Sequence, residues 1–395
     1  MTDAALAELY RDLHRHPELS FRETRTAGIV TGRLRGLGLA TTTGVGGTGV
    51  VGLLERGDGP TVLLRADMDA LPVQEATGLS YASTVDGVAH ACGHDVHVTC
   101  LLGALERLAA DDGWRGRVQA VFQPAEEVGG GAQAMVDDGL VERFGRADVV
   151  LGQHVAPIPA GVLGLAAGPA FAASDTVRIV LHGRGGHGSR PETTVDPVLM
   201  AAATVQRLHA IVSREVGGGE TAVLTVGTLH AGTKENIVPG HAELGLTVRS
   251  FDPEVRARVL AAVERVVRAE AAASGAPREP EIALSDPFPP LVNDPAAAER
   301  TATALGGAGF VVDPGPVTGS EDVGVLATAS GAPCSYWLLG GADPALFAGA
   351  TTRDELAAVV RTLPSNHAPD FAPVVEPTLT VGVAALVAAA REWLA

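Results

Sequence analysis

The stretch Thr48–Pro72, TGVVGLLERGDGPTVLLRADMDALP, reads as two strands on either side of a turn. Apolar runs of strand length flank the cluster GDGP, whose glycines and proline break any helical period. The second run ends on Asp67 and Asp69, which bracket Met68. A strand that closes on carboxylates suits an open α/β sheet, in which ligands collect beyond the carboxyl ends of strands.

The segments around it repeat the pattern. Residues 3–15 and 22–38 carry Leu, Ile and Val at helical spacing. HACGHDVHVTC, residues 90–100, runs into the helix VTCLLGALERLAA. GRVQAVFQPAEE is a strand that ends on Glu126 and Glu127, and ADVVLGQHVAP is a strand that ends on His154. Late in the chain, SNHAPDF places His367 in a polar loop. Strands alternate with helices, so the expected fold is α/β, with a largely parallel central sheet flanked by helices.

The texture changes near Ser174. SDTVRIVLHGRGGHGSRP is a strand and a glycine-rich turn, followed by the helix DPVLMAAATVQRLHAIVSRE. Two alternating strands, TAVLTVGTLHAG and AELGLTVRSF, then a long helix and the strand in EIALSDPFPPLVND complete the order β-α-β-β-α-β, a compact two-layer unit. We therefore expect one domain of residues 1–174 and 287–395, with a smaller α+β, ferredoxin-like domain inserted at 175–286.

The chain has 395 residues and a net charge of −17, which excludes the basic surface that nucleic acid requires. Lys234 is the sole lysine, so lysine-based covalent chemistry has one candidate. Cys92, Cys100 and Cys334 are too few and odd for a disulfide framework and suit a reducing compartment. The N-terminus has no apolar signal core, and the apolar run VGVAALVAAA is too short to span a bilayer. A cytoplasmic location is expected. No G-x-S-x-G elbow is present, GVGGTGV lacks the helix and acidic residue of a dinucleotide site, and neither HGRGGHG nor EVGGGE ends as a P-loop.

What remains is metal chemistry. Cys92 and His94, one residue apart in a loop, can face one ion, although a free cysteine is often a small buried hydrophobe. His90 and His97 look structural, and Asp95 suits a helix cap. Glu126 and Glu127, on an extended segment, would point to opposite sides, one to hold metal and one to reach a water. Asp67 or Asp69 can orient a ligand imidazole, or both can cap the loop.

These motifs resemble those of the metal-dependent N-acyl-amino-acid amidohydrolases, the aminoacylase-like metallopeptidases that include hippurate hydrolases and indoleacetyl-amino-acid hydrolases. DLHRHPELSF, RADMDALP, HACGHDVH, FQPAEE, GQHVAP, GRGGHGSRP, VDPV, ENIVPG, TVRSFD, GSEDVG and NHAPDF carry the resemblance in order along nearly the whole chain. The resemblance implies an α/β catalytic domain with an inserted lid and dimerisation domain. It places Cys92, His94, Glu127, His154 and His367 on the positions that hold two divalent ions, zinc or manganese first, cobalt or nickel as alternatives. Glu126 falls on the general acid/base and Asp69 on the aspartate behind a ligand. His187, Asn236 and Arg249 fall on lid positions near the substrate. Hydrolysis of an N-acyl amino acid to a carboxylic acid and a free amino acid is the implied reaction, with a homodimer or higher homo-oligomer as the assembly. A dipeptidase or carboxypeptidase-like activity is the alternative, since the same metal chemistry serves it. A non-catalytic relative would have lost a ligand or the base, and a structural zinc site favours four closed Cys/His ligands. Two places depart from the pattern: GSEDVGVLA lacks the usual aromatic residues, and Arg190 and Glu192 replace an apolar residue and a histidine.

Overall fold

The computed structural model describes residues 3–394, and the chain divides into two compact units. The first comprises Met1–Ala170, Val292–Pro316 and Asp322–Ala395, and the second Phe171–Leu291 and Val317–Glu321.

The first unit is built on an eight-stranded sheet. Its order is Ala40–Val45, Gly49–Arg56, Gly116–Gln123, Thr61–Asp67, Val149–Pro159, Cys334–Ala342, Val162–Gly164 and Phe310–Val312. The four central strands, from Gly116–Gln123 to Cys334–Ala342, are mutually parallel. The sheet as a whole is mixed and not largely parallel. A short turn joins Ala40–Val45 to Gly49–Arg56, and so tight a connection permits only antiparallel pairing. Val162–Gly164 likewise turns straight back and meets Cys334–Ala342 antiparallel. The two strands around GDGP are real but do not pair with each other: Gly116–Gln123 lies between them.

Register sets the level at which the chemistry gathers. Asp67 pairs with Gln123, each the last residue of its strand. Arg65 pairs with Gly152, so His154, two residues on, is level with Asp67. His154 is therefore at the rim relative to its neighbours, although its own strand continues to Pro159.

Every residue of Thr61–Asp67 is buried, as a central strand covered on both faces requires. The helix His94–Ala110 buries Leu101, Leu102, Leu105 and Leu108 in the core, and each contributes about 1.5–3 kcal/mol of hydrophobic burial. The apolar run near the C-terminus forms the helix Thr378–Leu394, which packs through Leu379, Val383 and Leu386. Among the described residues no helix is long and apolar enough to cross a membrane.

The second unit follows the order strand Ala173–His182, helix Pro197–Glu215, strands Ala222–Ala231 and His241–Ser250, helix Pro253–Ala273 and strand Glu281–Phe288. Its sheet runs Ala222–Ala231, His241–Ser250, Ala173–His182, Glu281–Phe288, every pairing antiparallel. Both helices start at an Asp-Pro pair. Asp196 accepts from the Val198 and Leu199 amides and Asp252 from those of Glu254 and Val255, while the proline supplies a pre-set first helical φ. A separate core, including Ile179, Leu181, Leu208, Leu246, Val259 and Val263, seals these helices to the sheet.

Candidate metal centre

Cys92 lies in the loop before the helix His94–Ala110, and His94 is the first residue of that helix. Gly93 between them has φ +84°, and a Cβ there would stand 2.3 Å from Val155 Cγ1. Only glycine permits both the left-handed backbone and the close approach, which together set Cys92 and His94 at one point. Asp95 is not the helix cap. Its carboxylate lies 2.6 Å from His14 Nδ1 and accepts from the Val96 amide.

Asp69 is the organising carboxylate. Its Oδ1 lies 3.2 Å from His94 Nδ1 and accepts from the Glu126 amide at 3.1 Å. Its Oδ2 accepts from the Ser20 hydroxyl at 2.7 Å and the Glu127 amide at 3.0 Å. Burial works against its charge, but these donors, His94 first, outweigh it and hold the carboxyl below its ordinary value. With Nδ1 turned to Asp69, His94 presents Nε2 on the other side.

Glu126 and Glu127 sit in a turn, closed by the Gly129 amide donating to the Glu126 carbonyl, and not on an extended segment. Ala125 before them has φ +51°. The turn brings both carboxylates to the same imidazole: Glu126 Oε2 is 4.0 Å and Glu127 Oε1 3.8 Å from His94 Nε2. The alternation expected of an extended pair is lost because the backbone has left the strand.

His154 donates from Nδ1 to the Val155 carbonyl at 2.8 Å, leaving Nε2 as a lone pair 3.5 Å from Cys92 Sγ. Burial, then the neighbouring His97, hold its pKa well below the usual imidazole range. His367 has φ +73°, donates its amide to the Ala91 carbonyl, and sets Nε2 3.3 Å from Glu127 Oε2. Contacts with Cys92 and then Glu127 raise it to about 10. Burial, then Glu127, push the Cys92 thiol up. Burial opposes charge on His94, but Asp67 and Cys92 outweigh it and its pKa stands well above the usual range.

Two overlapping sets of donor atoms result, Cys92–His94–His154 and Cys92–Glu127–His367, each within 4.8 Å and sharing the cysteine. His94 Nε2 and Glu127 Oε1 are buried, lack any hydrogen-bond partner, and face each other. Buried polar atoms carry a desolvation cost unless something satisfies them, and a divalent cation satisfies a lone pair and a carboxylate together. The residues present fit such a group.

His97 is not available to it. Its Nδ1 is 2.5 Å from Asp67 Oδ1, and its Nε2 accepts the Val155 amide at 2.8 Å. His90 is buried with neither ring nitrogen hydrogen-bonded, and burial lowers it to about 4. Asp67 serves His97 and the buried Arg65, whose guanidinium also meets Gln123, Tyr336 and Asp322.

In the second unit, Gly186–His187 pairs with Ile237–Val238, and Asn236 accepts the Gly188 amide, so His187 and Asn236 are neighbours. His187 is exposed, with Nδ1 2.8 Å from the Ser189 hydroxyl. Arg249 lies elsewhere, donating to the Thr318 carbonyl and the Ser320 hydroxyl. Arg249 pairs with Ser174 at one end of the ladder, while His187 follows the His182–His241 pair at the other. Eight residues of strand, about 26 Å, separate those ends.

Sequence reasoning missed Ser20, Asn366 and Arg65. Asn366 donates to the carbonyls of Cys92 and Val155 and ties the His367 loop to the cysteine. Arg65 had a signal: a charge inside the apolar run TVLLRAD must be paired if the strand is central.

A family model described as Peptidase family M20/M25/M40 matches residues 63–362. Thermostable carboxypeptidase 1 of Saccharolobus solfataricus is 39% identical over 85% of this chain and 85% of its own length. N-acetyl-L-cysteine deacetylase of Bacillus subtilis is 37% identical over 80% of this chain and 76% of its own. A crystal structure from Bacillus subtilis, described as a dinuclear metal binding peptidase from the M20 family, superposes with a TM-score of 0.79 at 29% identity, covering 99% of this chain and 98% of that one. The match spans most of the chain, so the chain belongs to Peptidase family M20/M25/M40.

Proposed function

We propose that the protein is a metal-dependent amidohydrolase that cleaves N-acyl amino acids to a carboxylic acid and a free amino acid. One observation carries the reading: His94 Nε2 and Glu127 Oε1, buried and without a hydrogen bond, face each other at 3.8 Å beside Cys92, Glu126 and His154. Cys92, His94, His154, Glu127 and His367 would hold two divalent ions, Cys92 belonging to both sets of donor atoms. A thiolate among the donors favours zinc, cobalt or nickel over harder cations such as magnesium and calcium, while the carboxylate donor keeps manganese in the set. The relatives named as a deacetylase of N-acetyl-L-cysteine and a dinuclear peptidase support this reading.

When bound, the ions polarise the scissile carbonyl and acidify the attacking water. Glu126 accepts the water proton on its carboxylate and delivers one to the departing amine. Asp69 keeps the His94 ring aimed and, through the two amides it accepts, fixes where both glutamates start. Cys92 contributes as the thiolate, and the loss of its proton on metal binding makes affinity rise with pH.

His187, Asn236 and Arg249 contact the substrate, and the second unit acts as a lid and dimerisation domain. The ladder ends that carry Arg249 and the His182–His241 pair lie about 26 Å apart, which favours His187 serving a different substrate from the Arg249 of its own chain. A homodimer supplies the second copy, with His187 reaching a partner's site. A cytoplasmic location suits the reduced thiols.

Glu126→Gln tests the chemistry. It should keep both metals and lower kcat by about 10²–10⁴-fold, the usual worth of a positioned acid/base. Near-wild-type turnover would remove Glu126 from the role. Carboxypeptidase action is the second reading, favoured by the 39% identical relative of that name. A panel of N-acetyl and N-benzoyl amino acids against dipeptides and longer peptides separates the two.

A further inference from the structure

Glu23 is a fully buried carboxylate at the start of the helix Thr24–Gly36. Its Oε1 accepts two backbone amides, Phe21 at 2.9 Å and Ala125 at 2.9 Å. Its Oε2 accepts the Thr48 hydroxyl. All its side-chain hydrogen bonds come from neutral donors, and burial, opposed by these bonds, leaves its pKa raised.

The two amides on Oε1 belong to special residues. Among the described residues, three non-glycine positions have positive φ: Phe21 at 59°, Ala125 at 51° and His367 at 73°. Glu23 holds the first two. Left-handed backbone is costly for residues with a Cβ and persists where surroundings impose it. Ala125 also opens the turn that carries Glu126 and Glu127. Three consecutive amides of that turn are satisfied by two buried carboxylates: Ala125 by Glu23, then Glu126 and Glu127 by Asp69. The far side is closed as tightly. A Cβ on Gly131 would stand 1.6 Å from the Pro124 carbonyl oxygen, and the Gly131 amide donates to the Ala125 carbonyl.

Asp69 fixes the amides of the glutamates themselves, but it cannot fix the direction from which the chain enters the turn. That direction is the conformation of Ala125, and Glu23 is the side chain that holds it. We propose that Glu23 is a positioning residue for the reaction: by gathering the Phe21 and Ala125 amides on one oxygen, it sets the angle at which Glu126 is presented. The proposal rests on the reading of Glu126 as the acid/base. It requires a buried acceptor at position 23 and no net charge there.

The test is steady-state hydrolysis of an N-acyl amino acid by metal-loaded enzyme, with metal content measured on the same samples. Glu23→Ala and the volume-matched Glu23→Met should lower kcat by about 10–100-fold, the range expected of a misplaced reacting group. KM should stay within about twofold and metal content at the wild-type level. Glu23→Gln, which keeps the oxygen that accepts both amides, should recover kcat to within about threefold of wild type. This conservative variant keeps the test open if the truncations do not fold. The proposal is overturned if Glu23→Ala or Glu23→Met turns over like wild type. It is also overturned if their loss follows metal content or folded fraction alone, or if Glu23→Gln is as slow as Glu23→Met. Glu126→Gln, assayed in parallel, separates the two levels. An active Glu126→Gln sinks the reading of the base, whereas an inactive Glu126→Gln beside an unimpaired Glu23→Met sinks only the role of Glu23.

Discussion

Replacing His14 by Gln should cost the first unit several kcal/mol at neutral pH and much less at pH 9. His14 is 1% exposed and lies between two carboxylates, Asp95 Oδ2 at 2.6 Å from Nδ1 and Glu75 Oε1 at 3.2 Å from Nε2. Glu75 also accepts the Ser83 amide and the Thr77 hydroxyl, so the pair of contacts joins the helix Asp3–Arg15 to the 75–83 loop and to the first turn behind His94. Burial opposes a charge on His14, but the attraction of Asp95 and then Glu75 raises its pKa from 6.5 to about 10. A folded pKa above the unfolded one means that the native chain keeps a proton the unfolded chain releases. The stabilisation is complete below pH 6.5 and is lost as pH rises through about 10. Proton linkage between those two values gives about 4 kcal/mol at pH 7 and about 1.5 kcal/mol at pH 9. Removal of one partner from a buried ionic cluster costs a similar amount, about 3–5 kcal/mol. Urea denaturation followed by tryptophan fluorescence reads the right unit, because Trp114, Trp337 and Trp393 all lie in it. The difference between wild type and His14→Gln should shrink by about 2–3 kcal/mol from pH 7 to pH 9. A variant within about 1 kcal/mol of wild type at pH 7, or a difference that does not change with pH, would refute a protonated His14 in this cluster.

Three further outcomes are expected. Asp69→Asn places an amide against the donors that the carboxylate accepts, and should weaken metal affinity or kcat/KM about 10–100-fold; metal titration with activity readout checks it, and unchanged values would exclude the role. Exhaustive chelation should abolish activity, and zinc, manganese, cobalt or nickel should restore it to different degrees; full activity in metal-free protein would end the metal reading. His187→Ala mixed in equal amounts with Glu126→Gln should recover about a quarter of wild-type activity, because half of the random dimers then hold one complete site. No recovery after confirmed subunit exchange would place His187 at its own chain's site or outside catalysis.

The strands that end on chemistry were legible because a buried parallel strand must be apolar and its carboxyl end need not be. TVLLRAD and GRVQAVFQ show that change directly, whereas the strand of VVLGQH runs on to Pro159 and His154 reaches the rim only through register. The two-layer order of the second unit was legible for a different reason: its antiparallel strands alternate apolar and polar residues, and Asp196–Pro197 and Asp252–Pro253 mark its helix starts. The direction of Glu126 was not legible. It depends on a left-handed Ala125, and nothing in PAEE distinguishes that backbone from a continued strand. The place of Gly116–Gln123 between the two strands around GDGP is a register choice, made by distant pairings and not by the turn. Asp95 looked like a helix cap because its partner, His14, is 81 residues away.

The polar groups around the centre are better explained by geometry than by stability. Replacing a buried ionic cluster with apolar side chains of the same shape is often neutral or stabilising, so stability alone gives no reason to retain one. Here the contacts end on the candidate ligands or on the backbone beside them. Asp69 turns the His94 ring, and Asn366 grips the carbonyl of Cys92. His97, held by Asp67 and through it by Arg65, accepts the amide of Val155 next to His154. Glu23 holds the residue before Glu126, and His14 holds the residue after His94. The three positive-φ non-glycine residues lie on the same segments. A metal site needs its donors placed to within a few tenths of an ångström, and loops alone do not provide that. A shell of buried carboxylates, each spending its lone pairs on the amides and imidazoles of those loops, does.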